Sequence, residues 1–224
     1  MVKLCVSGCK GKMGARISAL AKEDPRFKVI GEFDIGQDPE PFIKQCDCLI
    51  EFTSPKATIE HLGLCEKHNK AIVIGTTGLT PGEQALIKEA SRKIPVVFAS
   101  NMSVGVNVLF KLLENASRAL GGAYTVRIKE AHHVHKKDAP SGTAKELAKI
   151  VKAVRGDIQI PIESIREDEI VGDHWVVFES PGDRIELFHS AKTRDILVKG
   201  ALEAVNFVKG KTAKLYGMQE VLGI

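Results

Sequence analysis

The chain has no hydrophobic run long enough to cross a membrane, and it has no Cys-x-x-Cys pair. Aromatic residues are few, with one tryptophan and two tyrosines among 224 residues. The absence of a long hydrophobic run excludes a membrane-spanning protein, because a transmembrane helix needs about 20 apolar residues. The N-terminus enters a strand pattern directly, without the apolar core of a signal peptide. We therefore expect a soluble, cytoplasmic protein that does not bind membranes.

The five cysteines stand in apolar strand or helix patterns without the spacing of a metal or redox motif. This usage is typical of reduced, buried thiols. The formal net charge of +4 is spread along the chain, so no basic arm indicates binding to nucleic acid. A small anionic substrate suits such a charge at least as well.

Short apolar strands alternate with helical patterns over the first hundred residues. The pattern predicts strands at 2–7, 28–33, 48–52, 71–74 and 96–99, and helices at 12–21, 56–68 and 81–92. Such alternation is typical of a parallel, doubly wound sheet. His61 and His68, on the helix at 56–68, are predicted to be surface residues and not ligands.

Three glycines, Gly8, Gly11 and Gly14, occupy the turn between the first strand and the first helix. Glycines there let the backbone approach a pyrophosphate at the helix N-terminus. The spacing differs from the usual Gly-x-Gly-x-x-Gly, so a plain tight turn is the alternative. Asp34 ends the second strand 20 residues after Gly14, where an acid can bind a ribose hydroxyl. Together these features predict a dinucleotide site.

The stretch 130–144 carries the most reactive groups and reads Glu-Ala-His-His-Val-His-Lys-Lys-Asp-Ala-Pro-Ser-Gly-Thr-Ala. Alternation over 124–129 predicts a strand before it, and helical spacing predicts a helix after it, with Ser141 as N-cap. We therefore expect the histidines and lysines in a strand-to-helix loop. The free N–H groups of Gly142 and Thr143 can bind a carboxylate. Imidazoles beside an ammonium can move a proton to such a substrate.

Two other interpretations of this loop are a solvated basic segment and a metal site, since His-x-His places two rings on one side of an extended chain. Lys136 and Lys137 would repel a cation, which counts against the metal. Further along, the pattern predicts a helix at 104–120, antiparallel strands at 174–179 and 184–189, and a helix at 195–208. The segment 156–173 carries little signal.

The string His-His-x-His-Lys-x-Asp-Ala-Pro-Ser-Gly-Thr-Ala resembles the signature of the dihydrodipicolinate reductase family, of the diaminopimelate route to lysine. Four further segments are similar to that family: Gly-Thr-Thr-Gly at 75–78, Asn-x-Ser-x-Gly-x-Asn at 101–107, and the segments 184–194 and 215–222. Met102 stands where the family often has Phe. The resemblance covers nearly the whole chain, and it is weakest at 35–46 and 155–172, where this chain is short for the family.

The resemblance implies an α/β fold: a Rossmann-type, doubly wound parallel sheet over 1–102 and 194–224, plus a smaller α+β substrate and oligomerisation domain over 103–193. It implies reduction of 4-hydroxy-tetrahydrodipicolinate to tetrahydrodipicolinate, with hydride passing to C4 and the 4-hydroxyl leaving as water. It also implies a homotetramer and no metal. Another two-domain nicotinamide reductase would not explain the signature loop, and a non-catalytic nucleotide-binding regulator would need no proton donors.

The resemblance implies that His132 is the acid/base residue and Lys136 the proton donor, while His133, Gly142 and Thr143 hold the substrate carboxylates. The charged form of Lys136 is expected to be disfavoured by its cationic neighbours. The cofactor would lie on Gly8, Cys9, Lys10, Gly11, Lys12 and Met13, on Asp34, on Gly75, Thr76 and Thr77, and on Ala99, Ser100, Asn101 and Met102.

The residues around Asp34 bear on the choice of cofactor. Asp34 is followed by Ile35 and Gly36 with no adjacent arginine. A carboxylate binds two ribose hydroxyls but repels a 2′-phosphate, so we expect NADH to serve at least as well as NADPH. Lys10, Lys12 and Arg16 would soften that repulsion, which predicts use of both cofactors.

Overall fold

The computed structural model describes all 224 residues, which form two compact units: Met1–Val104 with Leu197–Gly223, and Gly105–Ile196 with Ile224. The strands are β1 Val2–Ser7, β2 Phe27–Phe33, β3 Cys48–Glu51, β4 Ala71–Ile74, β5 Pro95–Phe98, β6 Thr125–His132, β7 Ile162–Arg166, β8 Gly172–Glu179, β9 Arg184–Ala191 and β10 Lys214–Tyr216. The helices are α1 Lys12–Glu23, α2 Glu40–Gln45, α3 Pro55–Lys67, α4 Pro81–Ala90, α5 Val104–Leu120, α6 Gly142–Arg155, α7 Asp195–Val208 and α8 Met218–Leu222.

The first unit is built on a six-stranded sheet in the order β10-β5-β4-β3-β1-β2, in which all neighbouring strands pair in parallel. Every residue of β3 and β4 is buried, as expected for parallel strands that are covered on both faces. Buried residues of α1 and α7 belong to one core cluster, and those of α2, α3 and α4 to another. The predicted doubly wound α/β sheet is confirmed.

The second unit is built on a four-stranded sheet in the order β7-β6-β8-β9, with β7 parallel to β6 and the other pairs antiparallel. Val126 and Ile128 of β6 alternate with exposed or half-buried neighbours, and they pack with buried residues of α5 and α6. One face of this sheet therefore carries the core. The predicted mixed α+β unit is confirmed.

The element predictions hold for most of the chain, and α5 and α7 have the predicted bounds. The structure adds α2, in a segment where the resemblance is weakest, and β7, in the segment 156–173 that carries little signal, as well as β10 and α8. It also extends β6 through His132, so the prediction that this residue lies in a loop is wrong.

The surface prediction for the two histidines of the α3 region is wrong for His61, which is 9 % exposed. The buried stripe of α3 consists of Thr58, His61, Leu62 and Cys65. Their helical spacing in the sequence therefore indicates that His61 is buried. His68 is half-buried, and its Nε2 lies 2.7 Å from Glu40 Oε1.

The cysteines are all free thiols, four of them buried and Cys9 partly exposed. Burial raises the pKa of Cys46 to about 12 and also raises the pKa of Cys48 and Cys65. These thiols are packing groups, as predicted. None of the helices has both the length and the apolar character that spanning a membrane requires.

Candidate active site

The glycine turn after β1 contains Gly8, Gly11 and Gly14, which have no side chains that would cover its backbone N–H groups. Gly8 has φ +67°, and a Cβ built on Gly14 would lie 2.0 Å from the Gly8 carbonyl oxygen, so a side chain at either position would strain or block the turn. The Gly11 N–H donates to that same oxygen at 2.9 Å, and Gly11 caps α1. This bare helix start fits a pyrophosphate.

The side chains around this turn differ in exposure. Lys10 and Lys12 are exposed, whereas Cys9 and Met13 are half-buried. The two lysines therefore leave a positive charge beside the turn.

Asp34 follows β2 and is tied to the glycine turn. Its Oδ2 accepts from the Lys10 backbone N–H at 2.7 Å, and its Oδ1 accepts from the Ile35 N–H at 2.8 Å. These two hydrogen bonds, with Lys10 the larger influence, hold the pKa of the Asp34 carboxyl below its ordinary value. The group is therefore a carboxylate at neutral pH, and its orientation is set by the backbone.

A cleft of about 510 Å³ lies beside the glycine turn and Asp34. Its walls include Ile35, whose side chain is 98 % exposed, as well as Phe52 and His61. His61 Nδ1 lies 2.6 Å from Oε2 of Glu51, which is fully buried at the end of β3. The cleft thus combines apolar walls with a few anchored polar groups, as ligand sites usually do.

The other predicted cofactor residues follow β4 and β5 in the same unit. The Thr76 hydroxyl lies 2.8 Å from the Thr58 hydroxyl and accepts from the Thr53 N–H at 3.2 Å, so Thr76 joins two strand ends. Gly75, Ala99 and Asn101 are half-buried, whereas Thr77 and Ser100 are exposed. Met102 is 1 % exposed and packs in a core cluster, so only its backbone is available to a ligand.

In the second unit, His132 ends β6 and Glu130 lies two residues before it on the same buried face. His132 Nδ1 makes a short contact with Glu130 Oε2, and Glu130 is fully buried. Burial lowers the pKa of His132, and Glu130 opposes this without reversing it. His132 is therefore a neutral imidazole at neutral pH, held by a carboxylate.

Lys136 lies in the loop after β6, with its Nζ 2.8 Å from Asp138 Oδ1. Besides the expected cationic neighbours, Lys136 therefore has an anion, Asp138, in direct contact. The Lys136 N–H donates to the His133 carbonyl at 3.0 Å, which turns the loop back on itself.

The start of α6 follows this loop. The Ser141 hydroxyl accepts from the Ala144 N–H at 3.2 Å, which confirms the predicted N-cap. Gly142 is exposed and Thr143 is half-buried, so the first turn can be reached by a ligand. Nearby on the loop, His133 Nε2 accepts from Arg194 Nη2 at 3.2 Å. A guanidinium therefore joins the groups that could bind a carboxylate.

Two further histidines lie on the buried face of this sheet. Glu130, His174 and His189 are neighbours across β6, β8 and β9, and the His132 and His174 rings meet edge to face at 5.2 Å. Burial, with a smaller influence from His132, lowers the pKa of His174 to about 4. Burial also lowers the pKa of His189. His132 thus has the neutral imidazole of His174 beside it.

Sequence reasoning missed several of these partners, namely Glu130, Asp138, Arg166 and His174 around His132 and Lys136. The sequence could have indicated Glu130, because it is the only acidic residue in β6 and its position in the alternating pattern predicts that it is buried. Arg166 and His174 carry no local signal, because strand pairing brings them to the site from 30 or more residues away.

The described chain contains no group of three or more His, Cys, Asp or Glu side chains placed to hold a metal ion. His133 and His135 lie with ring centroids 6.2 Å apart, and the His135 Nε2 reaches towards Glu169 at 3.9 Å.

The first unit has an exposed glycine turn and an acid after the second strand of a parallel sheet, and the second unit has a cluster of titratable side chains. These features are typical of a nicotinamide-dependent oxidoreductase. The sequence model of the dihydrodipicolinate reductase N-terminus matches residues 2–102, and that of the C-terminus matches residues 105–222. The chain therefore belongs to the dihydrodipicolinate reductase family.

Curated relatives are similar over their full length. The chain is 39 % identical to the 4-hydroxy-tetrahydrodipicolinate reductase of Geobacter metallireducens and 38 % identical to that of Geobacter sulfurreducens, with 100 % of both chains covered. Each alignment spans 265 positions, against 224 residues here, so this chain lacks segments that those relatives have.

A solved structure supports the fold. The dipicolinate-bound dihydrodipicolinate reductase from Paenisporosarcina sp. TG-14 superimposes with a TM-score of 0.88 at 24 % identity, covering 98 % of each chain.

Proposed function

We propose that this protein reduces 4-hydroxy-tetrahydrodipicolinate to tetrahydrodipicolinate with NADH or NADPH, as a cytoplasmic enzyme of the diaminopimelate route to lysine. The observation that carries the proposal is similarity over the full length of the chain to reductases of that name. The buried His132 beside a lysine loop and a capped helix start agree with it. The reaction takes up one hydride and one proton and releases one water.

The first unit would hold the cofactor, which supplies a hydride when it is bound. Glycines 8 and 11 with the first turn of α1 would bind its pyrophosphate, and Asp34 would bind ribose hydroxyls. The exposed side chain of Ile35 offers an apolar surface at the rim of the cleft. Residues 75–77 and 99–102 would border the nicotinamide end, with Met102 acting through its backbone.

The second unit would hold the substrate. His133, Gly142 and Thr143 would bind its carboxylates, and Arg194, which donates to His133, would add positive charge. His132 would exchange a proton with the substrate through Nε2, because its Nδ1 faces Glu130. Lys136 would donate the proton to the enamine-like intermediate as its neighbour Asp138 balances the charge.

The open face of the second sheet supports the proposed homotetramer. Trp175 and Phe188 stack there at 4.7 Å between ring centroids, and Phe188 is 52 % exposed. An exposed aromatic pair on a sheet face is typical of a subunit interface. We propose that this face joins copies of the chain.

The test is to incubate the purified protein with NADH and with substrate generated in situ by a dihydrodipicolinate synthase. We expect loss of NADH absorbance that depends on the synthase and the formation of tetrahydrodipicolinate. A folded protein that binds NADH but does not oxidise it under these conditions would disprove the proposed reaction.

A further inference from the structure

The carboxylate of Glu130 makes several hydrogen bonds within the second unit. Its Oε2 meets His132 Nδ1 and accepts from Arg166 Nη1 at 3.0 Å. Its Oε1 accepts from Arg166 Nη2 at 3.0 Å and from the Ser141 N–H at 3.3 Å. Because Glu130 is fully buried, these contacts replace the hydrogen bonds to water that its carboxylate would otherwise make.

We propose that Glu130 and Arg166 are positioning residues of the reaction: they hold His132, the Lys136 loop and the start of α6 in one arrangement. This inference rests on the proposed function, because it concerns the same proton transfers. Neither residue is proposed to touch the substrate.

The contact with Glu130 determines which imidazole nitrogen of His132 carries the proton. A carboxylate only accepts hydrogen bonds, so the neutral ring must carry its proton on Nδ1 and expose a lone pair on Nε2. A Cβ built on Gly172 would lie 3.0 Å from that Nε2. The glycine therefore leaves free space beside the atom that exchanges the proton.

Arg166 connects the same carboxylate to the lysine loop. Its Nε donates to the Lys136 carbonyl at 3.3 Å and its Nη2 to the Asp138 carbonyl at 2.5 Å. Arg166 thus holds the backbone of both members of the Lys136–Asp138 ion pair. A guanidinium can make these contacts and still bind Glu130 with two nitrogens, whereas an ammonium cannot.

Ser141 connects the carboxylate to the helix that would bind the substrate. Its N–H donates to Glu130 while its hydroxyl caps α6. The helix start is therefore placed relative to His132 through one shared carboxylate. Displacement of a catalytic group by even about 1 Å lowers the reaction rate strongly. The position of the Glu130 carboxylate should therefore affect kcat.

The charges around His132 agree with this role. Burial acts to raise the pKa of Glu130, but the hydrogen bonds from Arg166, Ser164 and His132 outweigh it, and the pKa lies below its ordinary value. The charged or titratable groups that face His132 are Glu130, Lys136, Arg166 and His174. Glu130 is the only anion among them.

The test replaces Glu130 by glutamine, which keeps the shape and removes the charge. If the glutamine oxygen stays on Arg166, the amide N–H₂ faces His132 and forces the proton onto Nε2, the wrong nitrogen. We expect Glu130→Gln to lower kcat on the order of 10²- to 10⁴-fold. The limb of the kcat/KM pH profile that reports His132 should move to lower pH, since the group that raises the pKa of His132 is gone.

The matched control is Glu114→Gln, which removes the same charge from a half-buried glutamate of α5 that holds Arg118 at 2.8 Å and Lys111 at 3.2 Å. We expect its kcat and pH profile to match the wild type. Emission of Trp175, the single tryptophan, reports folding of the second unit, and NADH titration reports the first. Both should be unchanged in Glu130→Gln.

Nitrogen NMR of His132 in the wild-type protein tests the inference without any substitution. A proton on Nδ1 at neutral pH supports it, and a proton on Nε2 overturns it, even where Glu130→Gln fails to fold. A folded Glu130→Gln variant with wild-type kcat and an unmoved pH profile also overturns it. Absence of turnover by the wild type would instead defeat the proposed function, and the NMR result would still decide the role of Glu130.

Discussion

The Lys136 ammonium and the Asp138 carboxylate form an ion pair of 2.8 Å in the loop that follows His132. Lys136 is about three-quarters buried, with 23 % of its side chain exposed, so it is held in place and not free in solvent. This arrangement gives the loop an ammonium group of defined position.

Replacement of Lys136 by methionine keeps the apolar stem and removes the proton. We expect kcat to fall on the order of 10²- to 10⁴-fold, because positioned proton transfer contributes about that much. Steady-state kinetics with NADH titration by fluorescence measures this, and NADH affinity should not change. A variant that keeps wild-type kcat and loses only substrate affinity would make Lys136 a carboxylate clamp.

His132→Gln should lower kcat by a similar factor. The double variant with Lys136→Met should lose less than the product of the two single effects, because groups that act as one unit are not additive. Kinetics of the four proteins in one buffer gives this comparison. Losses that multiply would indicate two independent steps.

Substitutions at the start of α6 should act on binding. Gly142→Pro removes one N–H at the first helical position, where proline is tolerated, and Thr143→Val removes a hydroxyl. We expect each to raise KM for the dicarboxylate about 10- to 100-fold with a smaller effect on kcat, as for loss of a hydrogen bond to a charged group. A fall in kcat at unchanged KM would contradict a role in ground-state binding.

Cofactor preference should follow from Asp34. Its carboxylate is held in the charged form by the Lys10 N–H, so it should repel a 2′-phosphate while the exposed Lys10 and Lys12 reduce that repulsion. We expect kcat/KM with NADH to equal or exceed that with NADPH, and Asp34→Asn to shift the ratio towards NADPH. A wild-type preference for NADPH of more than about tenfold would contradict this reading.

The buried histidines should make stability depend on pH. The pKa of His174 falls from 6.5 to about 4 on folding, so the unfolded chain binds more protons between these values. Stability is therefore complete above pH 6.5 and is lost as pH falls towards 4, by roughly 3 kcal/mol for this residue. His132 and His189 act in the same direction.

Urea unfolding at a series of pH values, followed by Trp175 emission, measures this dependence. His174→Gln should flatten the curve over the same pH range. A stability that does not change between pH 7 and 5 would show that His174 titrates normally.

Much of this protein is determined by local sequence. The 3.6-residue period predicts α5 and α7, and the capping residue Ser141 predicts the start of α6. Each of these signals lies within one continuous segment. The glycine turn with Asp34 and the loop with His132 and Lys136 are likewise continuous and carry recognisable residue types. The parallel pairing of the first sheet follows from the alternation of strands and helices.

Tertiary structure alone decided the surroundings of His132. Arg166 reaches Glu130 from 36 residues away, and His174 faces His132 from a third strand. Both contacts depend on strand register, which is set by which residues become buried together across the sheet and not by any local period. The half-exposed β7 shows no alternation of its own, so neither its existence nor the position of Arg166 could be predicted.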